Sequence, residues 1–112
     1  TPSGDILGVN MQVYLGQGPA IKVRDVGMIA DPKVVKWMAD TAKKNKIPCQ
    51  MEVLDVGSTD ARTMQLARSG MLAGALSIPC RYVHSPSELV DMDDITQSVK
   101  LLTALLSERI QL

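Results

Sequence analysis

The sequence predicts an α/β fold. Short β-branched runs and amphipathic helical stretches alternate along the chain, and the last element reads as a helix. One run, Leu72 to Ile78, is almost continuously apolar, as expected of a strand buried on both faces.

The elements follow in order. Val9 to Leu15 alternates loosely and reads as a first strand. Gly16-Gln17-Gly18-Pro19 is a turn, because glycine tolerates positive φ and proline fixes its own. Ala20 to Arg24 alternates apolar and basic residues and reads as a second strand, a candidate to pair with the first as a hairpin. Asp31-Pro32 opens a helix, with aspartate as N-cap and proline at the first helical position. Val34, Trp37, Met38, Thr41 and Ala42 form its buried stripe, while Lys43, Lys44 and Lys46 complement the dipole at its C-terminal end. Pro48 is expected to stop it.

Met51 to Val56 reads as the next strand. Gly57-Ser58-Thr59-Asp60 then leads into a helix from about Thr59 to Ser69, with Gly70 as its C-cap. After the apolar run comes a long loop, Pro79 to Val90. Asp91 or Asp93 caps a last helix, expected to turn Ile95, Val99, Leu102, Leu105 and Leu106 to the core. Residues 50 to 78 thus read strand, helix, strand, which normally means a right-handed crossover between parallel strands.

Composition narrows the function. The 112 residues suffice for one small domain, 1–112. Aromatics are few (Trp37, Tyr14, Tyr82 and no phenylalanine), so the core rests on aliphatic residues and methionine. Lys plus Arg equals Asp plus Glu at 12 each, and no basic stripe suggests nucleic acid. No apolar run approaches the ~18 residues of a membrane span. Cys49 and Cys80 lie apart, without Cys-x-x-Cys spacing, and read as reduced cytoplasmic thiols. Thr1 to Asp5 is turn-like and lacks an initiator methionine, which suggests a piece of something longer.

Parallel strands would place two loops at one sheet edge, where α/β folds bind ligands. Gly57 to Asp60 and Pro79 to His84 are those loops, so Asp60 and His84 are expected to share a cleft. His84 is the sole histidine and a candidate metal ligand or acid/base. A lone histidine in a loop is more often a satisfied structural residue, and a catalytic metal needs about three protein ligands. Cys80 is a conceivable partner, although an isolated buried thiol is the plainer reading. Asp60 starts a helix and is also explained as a cap. Arg81 is placed to bind a carboxylate or to pair with Glu88. Ser58 and Thr59 lack a triad. Gly16 to Pro19 lacks the lysine and helix of a phosphate loop.

The spelling adds more. Thr59-Asp60-Ala61 after a glycine, Leu76-Ser77-Ile78-Pro79-Cys80-Arg81-Tyr82-Val83-His84-Ser85-Pro86, and Leu15-Gly16-Gln17-Gly18-Pro19-Ala20-Ile21 stand in the order and form of the TET-type metallo-aminopeptidases, which the chain resembles. These are the glutamyl, lysyl and deblocking aminopeptidases, some of them labelled endoglucanases. The departures are Ser58 before Thr59, Gly70-Met71-Leu72 in place of Gly-Val-Pro, and Cys80 at a frequent threonine. They bear on substrate preference more than on membership.

The resemblance implies the C-terminal portion of a zinc-peptidase-like catalytic domain, a partial α/β/α sandwich with a mixed sheet. It implies hydrolysis of N-terminal residues from peptides by two divalent metals, zinc or cobalt, in a cytoplasmic homo-oligomer, a dodecamer in the family. His84 maps onto the last metal ligand. Thr59, Asp60 and Arg81 fall in the substrate wall. No residue here maps onto the general base, and the other ligands belong upstream of Thr1, so the chain alone is expected to be inactive. A non-catalytic interaction module that keeps half the fold is the alternative.

Overall fold

The computed structural model describes all residues, 1–112. Its elements are β1 (Ala20–Arg24), α1 (Pro32–Lys44), β2 (Gln50–Val53), α2 (Ala61–Gln65), β3 (Leu76–Ser77) and α3 (Met92–Ser107). The sheet is mixed, in the order β2-β1-β3, with β2 parallel and β3 antiparallel to the central β1. The α/β class and the mixed sheet therefore hold, but the connections differ from expectation. The parallel unit is β1-α1-β2, so α1 is the crossover helix. Segment 50–78 is not a parallel pair, because β2 and β3 lie on opposite sides of β1.

Two more expectations fail for local reasons. Val9 to Leu15 forms no strand, and both flanks of β1 are taken by β2 and β3, so the hairpin does not exist. Leu72 to Ile78 pairs only over Leu76–Ser77, and Leu72 and Ile78 are exposed. Its small residues serve close approach instead. A Cβ on Gly74 would lie 2.7 Å from Val34 Cγ1, and the Ala73 carbonyl accepts from Asp31 N at 3.2 Å. Close approach at Ala73 and Gly74, rather than burial of the whole run on both faces, is what this segment provides.

Asp31 caps α1 through Lys33 N at 2.8 Å, and Pro32 follows at the first helical position. The helix ends before Pro48. Lys46 takes a left-handed φ of 55°, Ile47 N donates to Ala42 O at 2.9 Å and Lys46 N to Lys43 O at 3.1 Å. This is a Schellman ending with a lysine where glycine is usual. The helix after Asp60 is shorter than expected: it closes at Gln65, Asp60 makes no side-chain cap bond, and Gly70 lies beyond its end with φ 92°.

The main core joins Ile21 of β1, Val34, Met38 and Ala42 of α1, Ile47, and Leu101 and Leu105 of α3. On α3 the buried positions are Asp94, Ser98, Leu101 and Leu105. Val99, Leu102 and Leu106 are exposed, so the apolar face drawn from the sequence is rotated from the observed one. A polar contact fixes that rotation. Asp94, 1% exposed, accepts from Gly18 N at 2.7 Å and Gly16 N at 2.8 Å, which clamps the Gly16 to Pro19 turn onto the first turn of α3. Asp91 is the cap proper, through Asp93 N at 2.8 Å.

Candidate functional site

Side chains alternate across a strand, so the residue after Ile21 faces away from the helices. That residue is Lys22. Its partner across the parallel register is Glu52, and Lys22 Nζ lies 2.7 Å from Glu52 Oε1. A bulge falls between Lys22 and Arg24. In a regular strand, residues three apart point to opposite faces; the extra residue resets this, and Asp25 Oδ2 comes within 3.9 Å of Lys22 Nζ. Lys22, Asp25 and Glu52 are all at most 3% exposed.

On this face lies a pocket of about 500 Å³. Lys22 and Glu52 line it together with Thr1, Ser58, Thr59, Ser77 and His84. The two loops proposed to share a cleft do meet here, by a different route. Because β3 is antiparallel, its exit loop starts beside the beginning of β1 and reaches the pocket across the sheet face. The loop is closed at its base by reciprocal bonds between Arg81 and Leu89 (2.8 and 3.2 Å) and braced by Cys80 N to Thr1 O and Ser3 N to Cys80 O, both 2.9 Å. Within it Tyr82 and His84 hold left-handed φ values of 58° and 61°, and His84 N donates to Glu88 Oε1 at 2.6 Å. Two non-glycine residues in that region in one short loop are the kind of strain that collects at functional sites.

The proposed site residues are distributed unevenly. His84 and Thr59 line the pocket, whereas Asp60 and Arg81 do not. Arg81 pairs with Asp5 rather than with Glu88, whose carboxylate is engaged by the His84 backbone. That pairing holds the Asp5 carboxyl below its ordinary value, with help from Ser3. At Asp25, burial pushes the pKa up. The Gly27 N–H, the Ser58 hydroxyl and Lys22 more than offset it, so the net shift is downward. Burial raises the thiols of Cys80 and Cys49, which suits inert cysteines rather than ligands or nucleophiles.

Lys22, Glu52 and Ser77 escaped the sequence reading. A signal existed: in Ala20-Ile21-Lys22-Val23 and Gln50-Met51-Glu52-Val53, the third residue of each strand is charged. As metal donors the residues are insufficient by themselves. His84 is a single candidate donor, and no group of three or more His, Cys, Asp or Glu is placed to hold an ion.

Comparison with known proteins agrees with this architecture. Residues 1–101 match the model of the M42 glutamyl aminopeptidase family. The chain is 44% identical over 95 residues to the lysyl aminopeptidase of Pyrococcus furiosus, covering 84% of this chain and 27% of that protein. Its structure superposes on aminopeptidase APDkam598 of Desulfurococcus kamchatkensis with a TM-score of 0.92 at 41% identity, covering 97% of this chain and 32% of the other. For the Pyrococcus horikoshii TET1 peptidase, described as assembling into a tetrahedron or a large octahedral shell, the TM-score is 0.75 at 33% identity, with coverage of 92% and 28%. The chain thus spans about a third or less of the length of these relatives. With its mixed sheet, its closed histidine loop and a family match across residues 1–101, the chain belongs to the M42 glutamyl aminopeptidase family.

Proposed function

We propose that these residues form the C-terminal portion of the catalytic domain of a metal-dependent aminopeptidase, which removes N-terminal residues from peptides. The observation that carries this reading is the pocket lined by both His84 and the buried Lys22–Glu52 pair, in a chain of this family. His84 acts as one donor to a centre of two divalent ions, zinc or cobalt. The remaining donors and the general base come from residues outside these 112, and no reaction step is assigned to the residues present here. Their part is placement. The closed loop and the Glu88 contact fix the backbone of His84, and Ser58 and Thr59 line the same pocket. Asp60, next in sequence to Thr59, and Arg81, which anchors the histidine loop to Asp5, act on substrate binding through those two loops. The whole enzyme is cytoplasmic and works as a homo-oligomer, a state supported by the shells formed by the TET1 relative.

The test uses the full-length protein. His84→Ala should lower bound metal and reduce kcat/KM on aminoacyl-p-nitroanilides by more than the about 10–100-fold lost when only a group supporting a ligand is removed. Unchanged metal content and activity would refute the ligand role. A second reading, a non-catalytic module, draws support from the exposed apolar residues Val99, Leu102 and Leu106 along α3, a stripe suited to a partner chain. A full-length protein that binds no divalent metal and hydrolyses no aminoacyl substrate would favour it.

A further inference from the structure

The histidine loop holds a backbone shape that its own residues disfavour. Ser85 N donates to Tyr82 O at 3.1 Å, so Tyr82 to Ser85 form a four-residue turn. His84 is the third residue of that turn, with a φ of 61°. A turn with positive φ at its third residue ordinarily takes glycine or asparagine there. Tyr82, the first residue, is left-handed as well, at 58°. A side chain in this region is disfavoured by roughly tenfold per residue, so something must hold the turn.

The reciprocal bonds between Arg81 and Leu89 close the base of the loop and fix its ends. At the turn itself one side chain reaches His84. Glu88 Oε1 accepts from His84 N at 2.6 Å, the short separation of a charge-assisted bond. Arg81 does not draw this carboxylate away, because it is engaged by Asp5. Both His84 and Glu88 are exposed, so burial does not enforce the contact. Its entropic cost is small, however: Leu89 is already pinned, and the contact orders one side chain more. The angle φ is a rotation about the N–Cα bond. Glu88 holds the N–H on one side of that bond, and the Ser85 to Tyr82 bond holds the chain on the other. Together they set the direction in which the imidazole leaves the backbone.

We infer that Glu88 is a positioning residue for His84. It keeps the His84 backbone left-handed without help from a bound ion, so the imidazole stands ready at the pocket it lines. The contact uses the reach of the acceptor more than its charge, since a carbonyl oxygen in the same place accepts the same N–H. The effect on metal binding rests on the proposed ligand role of His84; the effect on the loop does not.

Three variants of the full-length protein test this: Glu88→Ala, Glu88→Gln and His84→Ala. In crystals of the metal-free protein, Glu88→Ala should release His84 from its left-handed φ, and Glu88→Gln should keep it. In competition with a chelator, zinc should bind Glu88→Ala about 10–100 times more weakly than wild type. Glu88→Gln should recover most of that loss. With cobalt bound, the visible absorption spectrum of Glu88→Ala should depart from wild type, and that of Glu88→Gln should match it. A wild-type φ in Glu88→Ala would overturn the role, as would wild-type zinc affinity in a protein that loses it on His84→Ala. So would a Glu88→Gln indistinguishable from Glu88→Ala. A lower melting temperature with neither readout changed would reduce Glu88 to a structural residue and equally reject it. If His84→Ala binds zinc as wild type does, the ligand reading fails, and the metal-free φ still decides the role of Glu88.

Discussion

Replacing Asp94 by alanine removes the acceptor that holds the glycine turn to α3. Gly18 N–H lies in a buried contact and is left without a partner; Gly16 N–H is in a more open one and can turn to water. A buried donor stranded in this way costs about 1–3 kcal/mol, and an exchanged one about 0.5–1.5. The sum is a loss of roughly 2–4 kcal/mol. With a urea m-value of about 2 kcal/mol/M, the midpoint should fall by roughly 1–2 M. Asp94→Asn keeps one acceptor oxygen but sets an amide N–H₂ against the second donor, and should lose about half as much. Asp93→Ala, one residue earlier on the same turn of α3, is the control and should cost less than about 1 kcal/mol, the scale of an exposed helix-dipole contact. If Asp94→Ala shifts the midpoint no more than Asp93→Ala, the clamp is not what sets the rotation of α3. The turn itself is intolerant for a separate reason: at Gly18, with φ 86°, a Cβ would fall 2.2 Å from the Pro48 carbonyl oxygen.

Three further outcomes are expected. Lys46→Gly should raise stability by about 0.5–1 kcal/mol in urea titration, since it relieves a left-handed φ at the end of α1; a neutral or negative change would contradict the Schellman assignment. The folded-state pKa of Asp25 is depressed, so its stabilisation is present above the ordinary carboxylate value of about 3.9 and fades as pH falls through the folded value. Asp25→Asn should accordingly flatten the acid limb of a plot of urea midpoint against pH, and an unaltered slope would count against that shift. Alkylation by iodoacetamide at pH 8 should be slow at Cys80 and Cys49 and accelerate in denaturant, because burial raises both thiols; rapid labelling of native Cys80 would contradict its burial.

Much of the secondary structure was legible because it rests on local chemistry. The Asp31-Pro32 start, the α1 stripe, β1 and the Asp91 cap depend on residues near one another in sequence, and the structure keeps them. What was lost depends on distant partners. Whether β3 runs parallel or antiparallel to β1 is decided by the path of residues 54–75, whose helical signal does not say on which side of β1 the chain returns. The rotation of α3 is set by Asp94 reaching glycines far upstream, which outweighs a stripe of leucines that reads equally well on paper. At the site, His84 stood out because it is the sole histidine. Lys22 and Glu52 did not, because each looks like the solvent-facing residue of an alternating strand until the register pairs them.

That pairing has a consequence for how the chain finds its fold. Slipping β2 by one residue against β1 would send Glu52 toward Ile21 and the α1 face, where no cation waits, and would strand Lys22 opposite an aliphatic neighbour. Each misalignment would put an uncompensated charge in a dry interior, a penalty of several kcal/mol. The ion pair thus acts as an error check during assembly: it adds little to the depth of the native well, but it raises the neighbouring wells, so a sheet of three short strands has one acceptable alignment.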